Sequence, residues 1–127
     1  MVIDTSVLLA ILQNEPEKDN FINAIADDPV RLLSAASYVE AGIVIDARYK
    51  AAGRHQLMLF ITLAGISVKD VDGEQAELAL DAYRKFGKGN HPAALNYGDC
   101  FSYALSAAAG EPLLYKGEDF SKTDISS

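Results

Sequence analysis

The stretch MVIDTSVLLAIL, residues 1–12, sets the reading of the whole chain. It places a carboxylate, Asp4, directly after Met1, Val2 and Ile3 and just before the apolar run Val7–Leu12. Val2-Ile3 reads as a short buried strand and Ser6–Leu12 as an apolar helix, so the acid stands at a strand-to-helix junction. A charge there has two readings. Asp is among the best N-cap residues and can close the first turn of the helix. It can equally mark a strand end where a ligand is held.

Working outward, the punctuation predicts the remaining elements. Pro16 suits the first turn of a second helix, in which Phe21, Ile22 and Ile25 form an apolar stripe before Asp27-Asp28-Pro29 stops it. Val30–Leu33 reads as a second strand. Helices follow from about Ala36 to Ala51 and from Arg54 to Ala64, and Ile66–Lys69 gives a third strand. Asp72 with Gln75 resembles a capping box; the helix behind it lines one face with Ala76, Ala79, Leu80, Tyr83 and Phe86 and leaves through Gly87 and Gly89. Asn96 can cap a further helix to Ala109, closed by Gly110, and Pro112–Tyr115 reads as a fourth strand. Short apolar strands alternating with helices predict a three-layer α/β/α domain with a short central parallel sheet.

Composition excludes several classes. The 127 residues, 50% hydrophobic, contain no repeat, linker or low-complexity tract and read as one domain over 1–127, able to bury about two-thirds of its unfolded surface. A single cysteine, Cys100, rules out an internal disulfide and, without a Cys/His cluster, a zinc site; it reads as a small buried hydrophobe in a reducing compartment. The N-terminus lacks a signal-peptide pattern, and the longest apolar stretch, Leu57–Gly65, is too short to cross a bilayer, so no membrane association and a cytoplasmic location are expected. Two histidines far apart, without partners, give no nucleophilic triad. A net charge of −7 argues against a wholly basic nucleic-acid surface but leaves room for a metal that neutralises acid at one place.

In an open parallel sheet the carboxyl ends of the strands share one edge, where ligands bind. Asp4 follows the first strand, Glu40 lies in the helix after the second, and Asp119 sits in the loop after the fourth. Asp99, near the start of the helix after Asn96, can join them. Four carboxylates sharing one cleft must bind protons or a cation, and at neutral pH oxygen donors without soft ligands favour Mg²⁺ or Mn²⁺. Taken singly, each has an ordinary role. Glu40 follows Ser37 at capping-box spacing, yet shares a face with Ala36, Val44 and Ala47 if its helix begins earlier, at Ser34. Asp99 can simply favour its helix dipole, and Asp119 can be an ordinary loop acid. Their joint placement is what points to a site.

The segments VIDTSVLLAIL (2–12), SAASYVEA (34–41) and ALNYGDCFSYALSAAAGEPLLYKGEDFSKTDI (94–125) resemble PIN-domain proteins of the VapC toxin type, from bacterial toxin–antitoxin pairs. The resemblance spans essentially the whole chain. It implies a Mg²⁺- or Mn²⁺-dependent endoribonuclease, the toxin of a type II pair, inhibited by a cognate antitoxin, homodimeric, and leaving a 5′-phosphate and a 3′-hydroxyl on its RNA substrate. The family's acidic site maps onto Asp4, Glu40, Asp99 and Asp119. Many members carry a further acid three residues before the loop Phe, where this chain has Gly117, and Glu118 is a substitute for, or neighbour of, Asp119.

The chemistry agrees, since phosphodiester hydrolysis needs an activated water and compensation for charge on the phosphate. Asp4 and Asp99 are expected as the main metal ligands, with Glu40 and Asp119 completing the shell or orienting water. Thr5, Ser6 and Asn96 are expected near phosphate or as supports, or simply as caps. Among Arg48, Lys50, Arg54, His55, Arg84, Lys85, Lys88, His91 and Lys116, the last stands out for RNA contact because it neighbours Asp119. The run LMLFITLAG (57–65) reads as core, and with the helix VLLAIL it leaves buried and interfacial placements open. Two other classes remain, a receiver- or phosphatase-like Mg²⁺ domain and a catalytically idle binding module. The first would want a second acid beside Asp4 or a late lysine, and IDTS offers neither an acid nor a base next to it.

Overall fold

The computed structural model describes residues 1–125. The elements are β1 (Val2–Ile3), α1 (Thr5–Leu12), α2 (Lys18–Asp27), β2 (Leu32–Ser34), α3 (Ala35–Leu63), β3 (Ser67–Lys69), α4 (Gly73–Phe86), α5 (Tyr97–Ala109) and β4 (Leu113–Leu114), followed by a 3₁₀ turn, Phe120–Lys122. The strands form one parallel sheet in the order β3-β2-β1-β4. Val2 pairs with Leu32 on one side and Leu113 on the other, and Ile3 pairs with Leu114.

Strand periodicity separates the layers. Successive side chains point to opposite faces, and accordingly Ile3, Leu33 and Leu114 pack with Val7, Leu8, Ile11, Phe21 and Leu57 of α1–α3, whereas Val2, Leu32 and Leu113 pack with Ala79, Cys100, Ala104 and Leu105 of α4 and α5. β1 is covered on both faces, with Val2 and Ile3 fully buried. This is the expected three-layer α/β/α architecture. No helix among the described residues is long and apolar enough to cross a membrane.

Several boundaries move, each for a local reason. The first helix starts at Thr5 rather than Ser6 because the Asp4 side chain accepts the Ser6 N–H as its N-cap. Pro16 and Glu17 precede α2 instead of lying in its first turn. The second strand begins at Leu32, not Val30, because Val30 N–H is drawn to the Asp28 carboxylate. Ile66 and the ends of Pro112–Tyr115 fall outside β3 and β4. α3 starts at Ala35, capped by Ser34, whose hydroxyl accepts the Ala36 N–H, so the Ser37–Glu40 capping box does not form. The two helices expected over 36–51 and 54–64 are one run, broken at Lys50 with φ 58° and ψ −147°.

Two apolar stripes are also rotated. In LMLFITLAG, Leu57 and Ile61 point inward at helical spacing, while Met58, Leu59 and Leu63 are exposed. On α4 the buried residues are Gln75, Ala79 and Ala82, and Ala76, Leu80 and Tyr83 instead line an apolar groove with Tyr97, Cys100 and Phe101 of α5. Asp72 does accept the Gln75 N–H, yet the Gln75 side chain does not return the bond, and its buried Oε1 has no partner.

The break at Lys50 folds residues 51–63 back towards 35–49, and Gly53 makes the close approach possible. A Cβ at Gly53 would stand 2.6 Å from Tyr49 Cβ and 2.7 Å from Ile45 Cγ2, atoms close to the backbone that cannot swing away. Gly53→Ala should therefore lower stability by about 1–3 kcal/mol. Urea denaturation checks this, and an unchanged midpoint would contradict it.

Candidate active site: a carboxylate cluster at the sheet edge

Asp4 leaves the end of β1, its N–H bonded to Leu114 O of β4 at 3.0 Å, and its side chain is only 4% exposed. Burying a carboxylate is costly unless its oxygens are satisfied. Oδ2 accepts from the Ser6 hydroxyl (2.6 Å) and the Ser6 N–H (3.1 Å), and Oδ1 accepts from the Ser102 hydroxyl of α5 (2.6 Å). Ser102, fully buried, lies 3.1 Å from the buried hydroxyl of Ser37 on α3. Since the one Ser102 proton goes to the carboxylate, Ser37 is the donor in that contact. Thr5 donates to Ser37 O at 3.3 Å, and Ser6 Oγ accepts the Lys116 N–H at 2.9 Å. Hydroxyls thus join β1, α1, α3, α5 and the β4 loop around one charge. Thr5 is buried in this network, while Ser6 supports Asp4 directly.

Asp99 combines two roles. Asn96 Oδ1 accepts the Asp99 N–H at 2.9 Å and Asp99 Oδ2 accepts the Asn96 N–H at 3.0 Å, a complete capping box. The same carboxyl is pushed up from 3.8 to about 6, first by burial and then by the charges of Asp4, Asp119 and Glu40, with the Asn96 N–H opposing them. Those three acids are the partners that the strand-edge argument expected, and the fold brings all four into one electrostatic field. Glu40 is half-buried, with its carboxylate against Gly98 next to Asp99. Asp119 is exposed, in the loop before the 3₁₀ turn, and makes no cap bond. Glu118 is exposed and is not among the charges that act on Asp99.

The charges acting on Asp99 are all negative, and among the described residues none of the four acids forms a salt bridge. The Lys116 Nζ lies 2.6 Å from Glu15 and 3.0 Å from Glu17. Arg54 pairs with Asp46, Arg84 with Asp81, and Arg48 donates to Gln13. Among the described residues, no three Asp, Glu, His or Cys side chains are grouped so that they could hold a metal ion as they stand. Asp4 is anchored by Ser6 and Ser102, and Asp99 by its cap. The donor set nonetheless suits a hard divalent cation, being four carboxylates with no soft atom and no internal counter-charge. Cys100 is buried beside them, its thiol raised to about 11 by burial, and is no thiolate ligand.

The sequence marks Ser37 only as a cap and gives Ser102 and Gly98 no role. The available signal was spacing, since Ser37 precedes Glu40 by three residues and Ser102 follows Asp99 by three, each one turn along the same helix face.

The PIN domain family model matches residues 1–126. Ribonuclease VapC of Mycolicibacterium smegmatis is 52% identical over 127 residues, covering 100% of this chain and 98% of that protein. Ribonuclease VapC30 of Mycobacterium tuberculosis is 50% identical over 127 residues, with 100% and 97% covered. Among solved structures, Mycobacterium tuberculosis VapC20, described as a Sarcin-Ricin loop cleaving toxin, superposes with a TM-score of 0.79 at 16% identity, covering 98% of this chain and 95% of that one. A toxin–antitoxin complex from Klebsiella pneumoniae gives a TM-score of 0.74 at 14% identity, covering 97% and 92%. These two likenesses support the fold.

Two outcomes follow from the geometry. Ser102→Ala removes a donor from a buried carboxylate and should cost about 1.5–3 kcal/mol in urea denaturation; an unchanged midpoint would mean that the Ser102–Asp4 bond contributes nothing. The second concerns pH. Asp99 holds its proton more tightly when folded, so its contribution to stability is complete below 3.8 and is lost as pH rises through about 6. Glu17 and Asp28, both lowered, act oppositely and only at more acid pH, and they cancel between variants. In EDTA, Asp99→Asn should therefore gain in Tm relative to the parent between pH 4.5 and pH 7.5, values about 1.5 units on either side of about 6. Parallel Tm profiles would contradict it.

Proposed function

The chain belongs to the PIN-domain family, among the VapC ribonucleases, and from that premise we propose that it is a Mg²⁺- or Mn²⁺-dependent endoribonuclease and the toxin of a type II toxin–antitoxin pair. The observation that carries this reading is that Asp4, Glu40 and Asp119, from three other segments, all act on the half-buried Asp99, while none of the four forms a salt bridge among the described residues. Capping accounts for Asp4 and Asp99, but not for Glu40 or Asp119, which make no cap bond and still face the cluster. An idle binding module leaves that placement unexplained. A receiver- or phosphatase-like site would want a lysine at the acids, and Lys116 is bound to Glu15 and Glu17.

Asp4 and Asp99 would hold the divalent ion, with Glu40 and Asp119 completing its surroundings. When bound, such an ion lowers the pKa of water and offsets charge building on the phosphate. The chain's own part is preorganisation. Ser6 and Ser102 fix both oxygens of Asp4, and Asn96 fixes Asp99, so neither carboxylate has to be ordered as substrate arrives. Asp99, which protonates at about 6 in the metal-free protein, must be ionised to act as a ligand, so activity should fall towards acid pH. RNA is the substrate in this reading, cut to leave a 5′-phosphate and a 3′-hydroxyl. A cognate antitoxin restrains the enzyme, as the Klebsiella complex joins a toxin to its antitoxin. The working form is a cytoplasmic homodimer of single-domain chains.

Asp4→Asn is a clean test because the hydroxyl network can adapt: Ser102 can turn to accept from the new amide while donating to Ser37. Asp4→Asn and Asp99→Asn should fold and lose Mn²⁺-dependent RNA cleavage by about 100-fold or more. At the loop, Asp119→Asn should lose activity and Glu118→Gln should keep it. Full cleavage by Asp99→Asn would overturn the assignment.

A further inference from the structure

Gly98 occupies the second position of α5, between Tyr97 and Asp99. Its φ is not positive, so no left-handed backbone demands glycine there. Helix propensity favours almost any other residue. A different reason is visible in what fills the space of its missing side chain. A Cβ built on Gly98 would overlap Glu40 Oε2 and stand 2.6 Å from Cδ and 2.7 Å from Oε1, and those three atoms, all of one carboxylate, are its nearest neighbours.

We propose that Gly98 is a positioning residue, whose bare backbone in the first turn of α5 seats the Glu40 carboxylate and keeps it in the acidic cluster beside Asp99. Glu40 comes from α3, while Asp99 belongs to α5, and the seat is the place where the two helices present their acids together. The positive end of the α5 dipole favours a carboxylate at that turn and offsets part of the repulsion from Asp99. The contacts below fix the same crossing, since Ser37 and Ser102 meet one turn from Glu40 and Asp99 respectively. The three atoms nearest to a methyl group at Gly98 are thus the far end of a flexible side chain. The fold has no need to yield, and Glu40 swings out towards solvent.

Stability and function are thereby separated, which a packing role would not do. The consequence for catalysis rests on the ribonuclease reading above. The full-length protein carrying Gly98→Ala should melt, without metal, at or above the parent Tm, and its Tm should rise less on adding Mn²⁺. Its Mn²⁺-dependent RNA cleavage should fall about 10- to 100-fold. In a Glu40→Ala background, Gly98→Ala has no carboxylate to displace and should add no further loss. A crystal structure of metal-free Gly98→Ala should show the Glu40 carboxylate displaced from α5. Parent-level cleavage by Gly98→Ala, losses that multiply in the double variant, a lowered metal-free Tm, or an unmoved Glu40 carboxylate would each overturn the proposal. A parent that cleaves no RNA would overturn the ribonuclease reading instead, and the crystal structure of the variant would still decide the seat.

Discussion

A carboxylate buried at the end of the central strand is the constraint around which the site end of this protein is built. Asp4 is taken out of water where β1 stops, and an unpartnered charge there would cost several kcal/mol, of the order that breaks a domain. Its three hydrogen bonds come from Ser6 on α1 and Ser102 on α5, and Ser102 is in turn met by Ser37 on α3. Satisfying one charge therefore fixes where three helices stand. Ser37 and Ser102 each lie one turn from an acid of the cluster, so the bonds that stabilise Asp4 also set the approach of Glu40 and Asp99.

Capping and chemistry turn out to be the same arrangement rather than rival explanations. Asp4 closes α1 with Oδ2 and is held through Oδ1 by Ser102, and Asp99 closes α5 with Oδ2. A cap locks a side chain to its own backbone, and a locked carboxylate needs no ordering when a cation or substrate arrives. The cost is electrostatic. Burial first, and then the charges of Asp4, Asp119 and Glu40, make the ionised form of Asp99 costly, and its carboxyl is raised accordingly. Stability given up at a site in this way is a common accompaniment of function.

Lys116, the base nearest the acidic loop in sequence, is drawn to Glu15 and Glu17 at the start of α2. Its charge ties the β4 loop to the α1–α2 connection, and its N–H holds Ser6. The lysine is a structural clamp for the loop that carries Asp119.

Local chemistry made much of this legible in the sequence. The alternation of short apolar runs with helical periods requires a parallel sheet covered on both faces, and the acids after strands one, two and four are carried to one edge by that topology alone. Asp4 at a strand end and Asp99 three residues after Asn96 are local patterns, and they sit as their spacing says. Tertiary structure decided whatever depends on which helix faces meet and how closely. Ser37 reads locally as a cap, yet Ser34 caps the helix and Ser37 is buried against Ser102, 65 residues away. The apolar run 57–65 reads as core, yet only Leu57 and Ile61 are buried, Phe60 and Ala64 pack partly against the core, and Met58, Leu59 and Leu63 are exposed. Gly98 reads as a poor helix residue until Glu40 of another helix is seen lying over it. Periodicity fixes which residues share a face; the distance between two faces is set by every side chain packed between them, and that is a property of the assembled fold.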